Sequence, residues 1–250
     1  MQQSFRVIGI LACLMWLAGS GAMAQVGIFP NAVTLDAAAY GHVAVAGSAT
    51  ESNGVYTLKG NGRDIWDNGD EAFFIYKELS GPNTISAKVK WVDARGSNDG
   101  GNDWAKIGVM IREKGNVPES KHYWIELRCG AGNPALGDRV DTQWRASEGG
   151  TSSNIQVLKD GKDIGSPAGI WVRATRLPDN VFVSQYSFDG KTWYFAHSIK
   201  TITMQDTVAY GLIITSHTED TQLVTAEVSD VYLGRPIGIA SSTENWELFK

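Results

Sequence analysis

The residues best suited to chemistry in this 250-residue chain lie on two segments of alternating character. In Lys106-Ile107-Gly108-Val109-Met110-Ile111-Arg112, the apolar Ile107, Val109 and Ile111 alternate with Lys106, Met110 and Arg112. Successive side chains of a β-strand point to opposite faces, so one face can feed a core while the other carries cations. Tyr123-Trp124-Ile125-Glu126-Leu127-Arg128 repeats the pattern, with Trp124, Glu126 and Arg128 on the polar side. Gln143 and Arg145 extend the row on a further segment, and His217 stands at its edge. Lys106, Arg112, Trp124, Glu126, Arg128, Arg145 and His217 therefore form a candidate ligand-binding face. An arginine fork grips a carboxylate or sulfate through two parallel hydrogen bonds, and an indole offers a flat apolar surface to a pyranose ring. That chemistry suits a polysaccharide or glycoconjugate, an acidic one included. The competing reading is a solvated sheet on which Glu126 pairs with Arg112 or Arg128, with little functional value.

A second cluster is acidic. Asp64, Asp67, Asp70 and Glu71 crowd a turn between strands. Two readings stand side by side: solvated carboxylates capping local amides, or an oxygen-rich calcium site. Asn98-Asp99-Gly100-Gly101-Asn102-Asp103 offers the same pair of alternatives. His42, His122, His197 and His217 lack the spacing of a transition-metal site, and no serine sits in a nucleophile elbow. The spacing yields no catalytic set, and the chain reads more as a binder than as an enzyme. Among the other tryptophans, Trp66, Trp104 and Trp144 flank polar loops or charged strands, whereas Trp91, Trp171 and Trp193 read as core or edge packing.

The elements that must position these residues are short alternating runs separated by Gly, Asn, Asp and Ser. They cover residues 55–58, 73–76, 84–92, 104–112, 123–128, 140–146, 171–176, 181–188, 193–197, 208–216 and 225–233. No segment has the period of a useful amphipathic helix. Such a pattern predicts an all-β fold, a two-sheet antiparallel jelly-roll sandwich. Neither an internal repeat nor a Pro/Ser-rich linker divides the chain, so residues 25–250 form one expected domain with a core over about 41–233.

Residues 1–24 read as a secretory signal peptide. Arg6 supplies the charge, residues 7–18 the apolar run, and Ala22-Met23-Ala24 the small residues of a cleavage site before Gln25. The run is too short to span a membrane. A secreted or periplasmic location is expected. Cleavage leaves Cys129 as the one cysteine, which excludes an internal disulfide and reads as a buried thiol. The net charge is −5, with no Lys/Arg cluster, so nucleic acid is not an expected partner.

Asp64-Ile65-Trp66 followed by Asp70, Phe73 and Leu79-Ser80-Gly81 resembles the opening of a bacterial concanavalin A-like (laminin-G-like) jelly-roll module of exported proteins. The likeness continues in order. It runs through Trp104-Ala105-Lys106-Ile107-Gly108-Val109-Met110-Ile111-Arg112, then Trp171, Arg173 and Arg176, and the hairpin residues Ser187, Asp189, Gly190 and Trp193. Gly211-Leu212 and Thr215-Ser216-His217 close it. The resemblance implies a concanavalin A-like fold and attachment to a glycan or a surface. Glu126-Leu127-Arg128 is also similar to the Arg-x-Glu-x-Arg strand of jelly-roll alginate lyases, without its first arginine, and no Glu-x-Asp-x-x-Glu run of jelly-roll glucanases is present. The leading expectation is an exported, non-catalytic glycan-binding or surface-interaction module, optionally braced by calcium. A polysaccharide lyase or glycoside hydrolase with an atypical site, and a structural domain with a protein partner, are the alternatives.

Overall fold

The computed structural model describes residues 25–37, 41–94, 104–130, 133–159, 162–166 and 168–237. Residues 1–24, for which a signal peptide is expected, the Asn98–Asp103 loop and residues 238–250 lie outside the described residues. Among the described residues seventeen strands follow one another, beginning with β1 (Asn31–Leu35), β2 (Ser48–Ser52), β3 (Val55–Gly60), β4 (Ile65–Trp66), β5 (Gly69–Asp70) and β6 (Ala72–Ser80). Next come β7 (Thr84–Asp93), β8 (Lys106–Arg112), β9 (His122–Gly130), β10 (Asn133–Arg145), β11 (Ser153–Lys159) and β12 (Lys162–Asp163). The last are β13 (Ile170–Arg176), β14 (Val181–Ser187), β15 (Tyr194–Thr201), β16 (Thr207–Thr215) and β17 (Val224–Gly234). No helix among the described residues is long and apolar enough to cross a membrane.

The strands pair into an eight-stranded sheet, β1-β6-β16-β8-β9-β10-β11-β12, and a seven-stranded sheet, β15-β14-β13-β7-β17-β3-β2. β4 and β5 form a separate small hairpin. The two large sheets are antiparallel throughout and make the two-sheet jelly-roll sandwich expected from the alternating runs. Side chains of one parity fill the space between them: Ile107, Val109, Ile111, Tyr123, Ile125 and Leu127 meet Ile85, Val89, Val172 and Phe182 in one core. Cys129 is buried there, as its lone occurrence suggested.

β11 carries no strong strand signal in its sequence. Among the residues of Ser153-Asn154-Ile155-Gln156-Val157-Leu158-Lys159 whose burial is described, Val157 is buried, while Ile155 and Leu158 are largely exposed. A strand near a sheet edge needs little apolar surface to be held by its ladder.

A larger departure concerns the outer side of the eight-stranded sheet. Met110, Trp124, Phe74, Ala209 and Ile213 form a second apolar cluster there, and Ile65 of the β4–β5 hairpin packs onto it. Every residue of β8 is buried, so this strand is covered on both faces. Alternation shows which side chains share a face; whether another segment folds over that face depends on contacts distant in sequence.

The sandwich core supplies a direct test. Leu127→Ala removes a fully buried side chain from the inter-sheet space. It should lower unfolding stability by about 2–5 kcal/mol, read from the shift in urea midpoint at unchanged slope.

Candidate functional site

Cross-strand register turns the outer face of β8, β9 and β10 into four rows. The first is Lys106–Arg128–Arg139 and the second Gly108–Glu126–Asp141. Met110–Trp124–Gln143 and Arg112–His122–Arg145 complete the set. A basic row, an acidic row, a row of mixed character and a second basic row thus succeed one another down one face. The parity read from the sequence is the parity observed: Lys106, Arg112, Trp124, Glu126, Arg128 and Arg145 all share it.

Their surroundings divide them. At the Arg112–Arg145 end the hairpin closes over the sheet, and Asp70 is wholly buried between the two guanidinium groups. Its Oδ1 accepts from Arg145 at 2.7 Å, and its Oδ2 is paired with Arg112. Arg145 also donates to the backbone carbonyls of Trp66, Gly69, Ser120 and Gly150 at 2.9, 3.2, 3.2 and 3.0 Å. One side chain therefore ties the hairpin to two further loops. Burial pushes the Asp70 carboxyl up, but Arg112, His122 and Arg145 together hold it well below the usual carboxylate range. His122, whose Nδ1 lies 3.5 Å from Asp70, is pushed down to about 4, because burial outweighs the pull of the carboxylate.

The first row stays partly open. A cleft of about 440 Å³ is lined by Lys106, Arg139 and Gln143 from the sheet, Asp64 and Trp66 from the hairpin region, and Trp104, Asn154 and His217. Gly62 lets the cleft's walls approach. Its φ of 124° suits glycine, and a Cβ there would stand 2.3 Å from the Glu71 carbonyl oxygen. The Gly62 carbonyl accepts from Thr215 Oγ1 at 2.9 Å and from the Thr218 N–H at 3.1 Å, which binds the end of β16 to the approach to β4. Across that junction His217 Nε2 sits 3.2 Å from Asp64 Oδ2, while Asp64 Oδ1 is paired with Lys106. Burial alone would raise the Asp64 carboxyl; Lys106 and His217 outweigh it and keep it low. Trp104 remains 45% exposed, with the Arg128 guanidinium 4.3 Å from its ring centroid and the His217 ring 6.2 Å away.

Several polar atoms in this region are buried without a hydrogen-bond partner: Gln143 Oε1, Arg128 Nε, Asp141 Oδ2 and both carboxyl oxygens of Glu126. Buried polar groups are normally paired, so each one needs an explanation. Gln143 lines the cleft, with its Oε1 closed off from solvent. A slightly larger hollow of about 500 Å³ beside β2 has Glu51 as the single charged side chain in its lining and lacks such a set.

The sequence-based candidates therefore separate. Lys106, almost fully buried and paired with Asp64, lines the cleft together with His217, Arg128 reaches it through Trp104, and Glu126 lies beneath it. Arg112, Trp124 and Arg145 need correcting as direct ligand contacts: the hairpin buries them completely, and both arginines are engaged within the protein. The acidic turn also needs correcting as a metal cage. Asp64 faces Lys106 and His217, Asp70 faces the arginines, and Glu71 accepts from the Arg63 N–H at 3.0 Å. Asp67 contributes its backbone carbonyl to Arg145. Protein cations supply the positive charge that calcium was expected to bring. Among the described residues no group of three or more His, Cys, Asp or Glu is placed to hold a metal ion. Arg139 and Asn154 escaped the sequence reading, although the register of β10 with its neighbours brings them to the cleft.

No protein-family model matches this sequence, and no curated protein does either. Solved structures do. A functionally unknown protein from Saccharomyces cerevisiae aligns at TM-score 0.54 and 18% identity, over 76% of this chain and 93% of that one. A lectin from Bauhinia forficata in complex with GalNAc aligns at 0.45 and 10%, over 76% and 90%. An alginate lyase from Pseudomonas aeruginosa aligns at 0.45 and 12%, over 75% and 86%. The yeast likeness is one of fold.

The buried histidine makes acid sensitivity a measurable property. An unfolded imidazole takes up its proton near 6.5, the folded one only near 4, so between those values the unfolded chain binds more protons. Stability should therefore fall as pH drops from about 6.5, by at most about 1.4 kcal/mol per unit from this group. The Asp70 contribution has the other window: it is present above the unfolded carboxyl value and lost as pH falls below it. Urea midpoints measured from pH 7 to 4 should fall more steeply, or rise less, in wild type than in His122→Gln, the difference between the two profiles being the histidine's share.

Proposed function

We propose that this chain is an exported glycan-binding module of a single domain, with its ligand held in the cleft between Trp104 and the Lys106–Arg128–Arg139 row. The observation that carries the reading is an exposed indole, Trp104, sharing one open hollow with the polar side chains Asp64, Arg139 and Asn154. A ligand that stacks an apolar ring face and offers hydroxyls answers both features. The three cations of the row favour a sugar bearing a carboxylate or sulfate. Arg112, Arg145 and Asp70 act at one remove, by fixing the hairpin that brings Asp64 and Trp66 to the wall.

One observation favours a second reading, acid–base catalysis. His217 adopts a φ of 55°, unusual for a residue with a side chain, and is oriented by Asp64 at the cleft. A histidine held this way is suited to proton abstraction, and the neighbouring cations would stabilise charge on a uronate. On that reading, incubation with polygalacturonate should generate unsaturated product with new ultraviolet absorbance, lost in His217→Ala. Unchanged absorbance with intact binding excludes it.

The binding reading is tested by electrophoresis of residues 25–250 through gels containing neutral, uronic or sulfated polysaccharides. Retardation by a uronic or sulfated polymer is expected. Trp104→Ala should weaken it about five- to tenfold. Trp193→Ala, which removes the ring stacked on Arg173 of β13 in the other sheet, should leave it unchanged. Equal mobility in every gel overturns the proposal.

A further inference from the structure

Beneath the cleft lies a pair of carboxyl groups that ligand contact does not explain. Glu126 and Asp141 face each other across β9 and β10, and Gly108 stands opposite Glu126 on β8 with no side chain to donate a hydrogen bond. Glu126 is completely buried, and neither of its carboxyl oxygens has a partner. Asp141 is almost as enclosed; its Oδ1 accepts from Arg139 Nε at 2.7 Å, and its Oδ2 has no partner.

Each charged group facing the pair has a partner of its own. From β8, Lys106 is held by Asp64. Arg128, on the strand of Glu126 itself, lies over Trp104, and Arg139 on β10 is held by Asp141. From beyond the sheet come Asp64 and, past β16, His217, which are turned towards each other. An ionised carboxylate without donors or water is unfavourable, and a neighbouring carboxylate makes it more so. The arrangement favours one negative charge on the pair rather than two.

We infer that Glu126 holds a proton at neutral pH, leaving the cleft one cation in excess, and that loss of this proton cancels the excess and weakens the hold on an acidic glycan. The inference deepens the glycan-binding reading and rests on it for its ligand. With Glu126 neutral, Lys106, Arg128 and Arg139 outnumber Asp64 and Asp141; with Glu126 ionised, the two signs balance. Burial raises the Glu126 carboxyl well above the usual range, with Asp141 and Asp64 adding to the rise against Lys106 and Arg128. Burial raises Asp141 as well. Linkage is reciprocal: a bound anion favours the proton on Glu126, and the proton favours the anion.

Two measurements test this, and they fail separately. Carbon-13 NMR of carboxyl-labelled glutamate in the unliganded protein should show one carboxyl still protonated at pH 7 and absent from Glu126→Gln. If every glutamate titrates in the ordinary carboxylate range, the inference is overturned without touching the binding proposal. The second measurement is retardation in polygalacturonate gels from pH 6 to 9. Wild type should lose affinity as pH rises, about tenfold for each unit by which the anion raises the Glu126 pKa. Glu126→Gln, an isostere of the protonated acid, should hold its affinity across the range. His217 is present in both proteins, so the difference between the profiles belongs to Glu126. Identical profiles overturn the inference. Absence of retardation at every pH by uronic, sulfated and neutral polymers removes the glycan reading and this inference with it, whatever the NMR shows.

Discussion

The Asp70 carboxylate, enclosed by Arg112 and Arg145, is the interaction on which the rest of the site depends. Two guanidinium groups in a dry interior are strongly unfavourable unless every donor is met. Here the hairpin gives both the Asp70 carboxylate and gives Arg145 the carbonyls of Trp66, Asp67 and Gly69. The loop after β8 gives Arg112 the carbonyls of Lys114, Val117 and Pro118, and Arg145 also draws in the loops around Ser120 and Gly150. The reciprocal statement holds equally. A hairpin of two two-residue strands has no stability of its own, and these bonds, with Ile65 seated in the second apolar cluster, keep it on the sheet.

The hairpin also decides where a ligand can go. It covers the lower rows of the sheet's outer face and stops short of the upper ones. Chemically similar cations therefore have different fates: Arg112 and Arg145 become structural, whereas Lys106, Arg128 and Arg139 border an open cleft. Asp64 lies at the boundary, because the stretch that delivers Asp70 to the arginines also delivers Asp64 to Lys106 and His217. Anchor and cleft wall are parts of one segment.

Glu126 departs from this economy of pairing. The acids below it and above it in the fold are met by cations or amides, whereas Glu126 is closed off and unmet. Places where local preference and global structure disagree are where function is most often found, since such a group is retained at a cost in stability. Its position under the cleft connects that cost to the charge a ligand would encounter.

The sequence by itself determined most of the longer strands and the parity within them. Ile107, Val109 and Ile111 against Lys106, Met110 and Arg112 is a period of two, and that period fixes which residues share a face. The burial of Cys129 was equally legible, being a matter of local composition. The tertiary structure alone decided which members of the polar face meet solvent. That depended on Asp70 pairing with Arg112 and Arg145 across long separations in sequence, and periodicity contains no information about such contacts. For the same reason calcium stood beside solvated carboxylates as a reading of the acidic turn: its carboxylates are local, but the cations that meet Asp64 and Asp70 arrive from β8 and β10. Arg139 and Asn154 became visible only once the register of β9, β10 and β11 was set, because register is a property of paired strands.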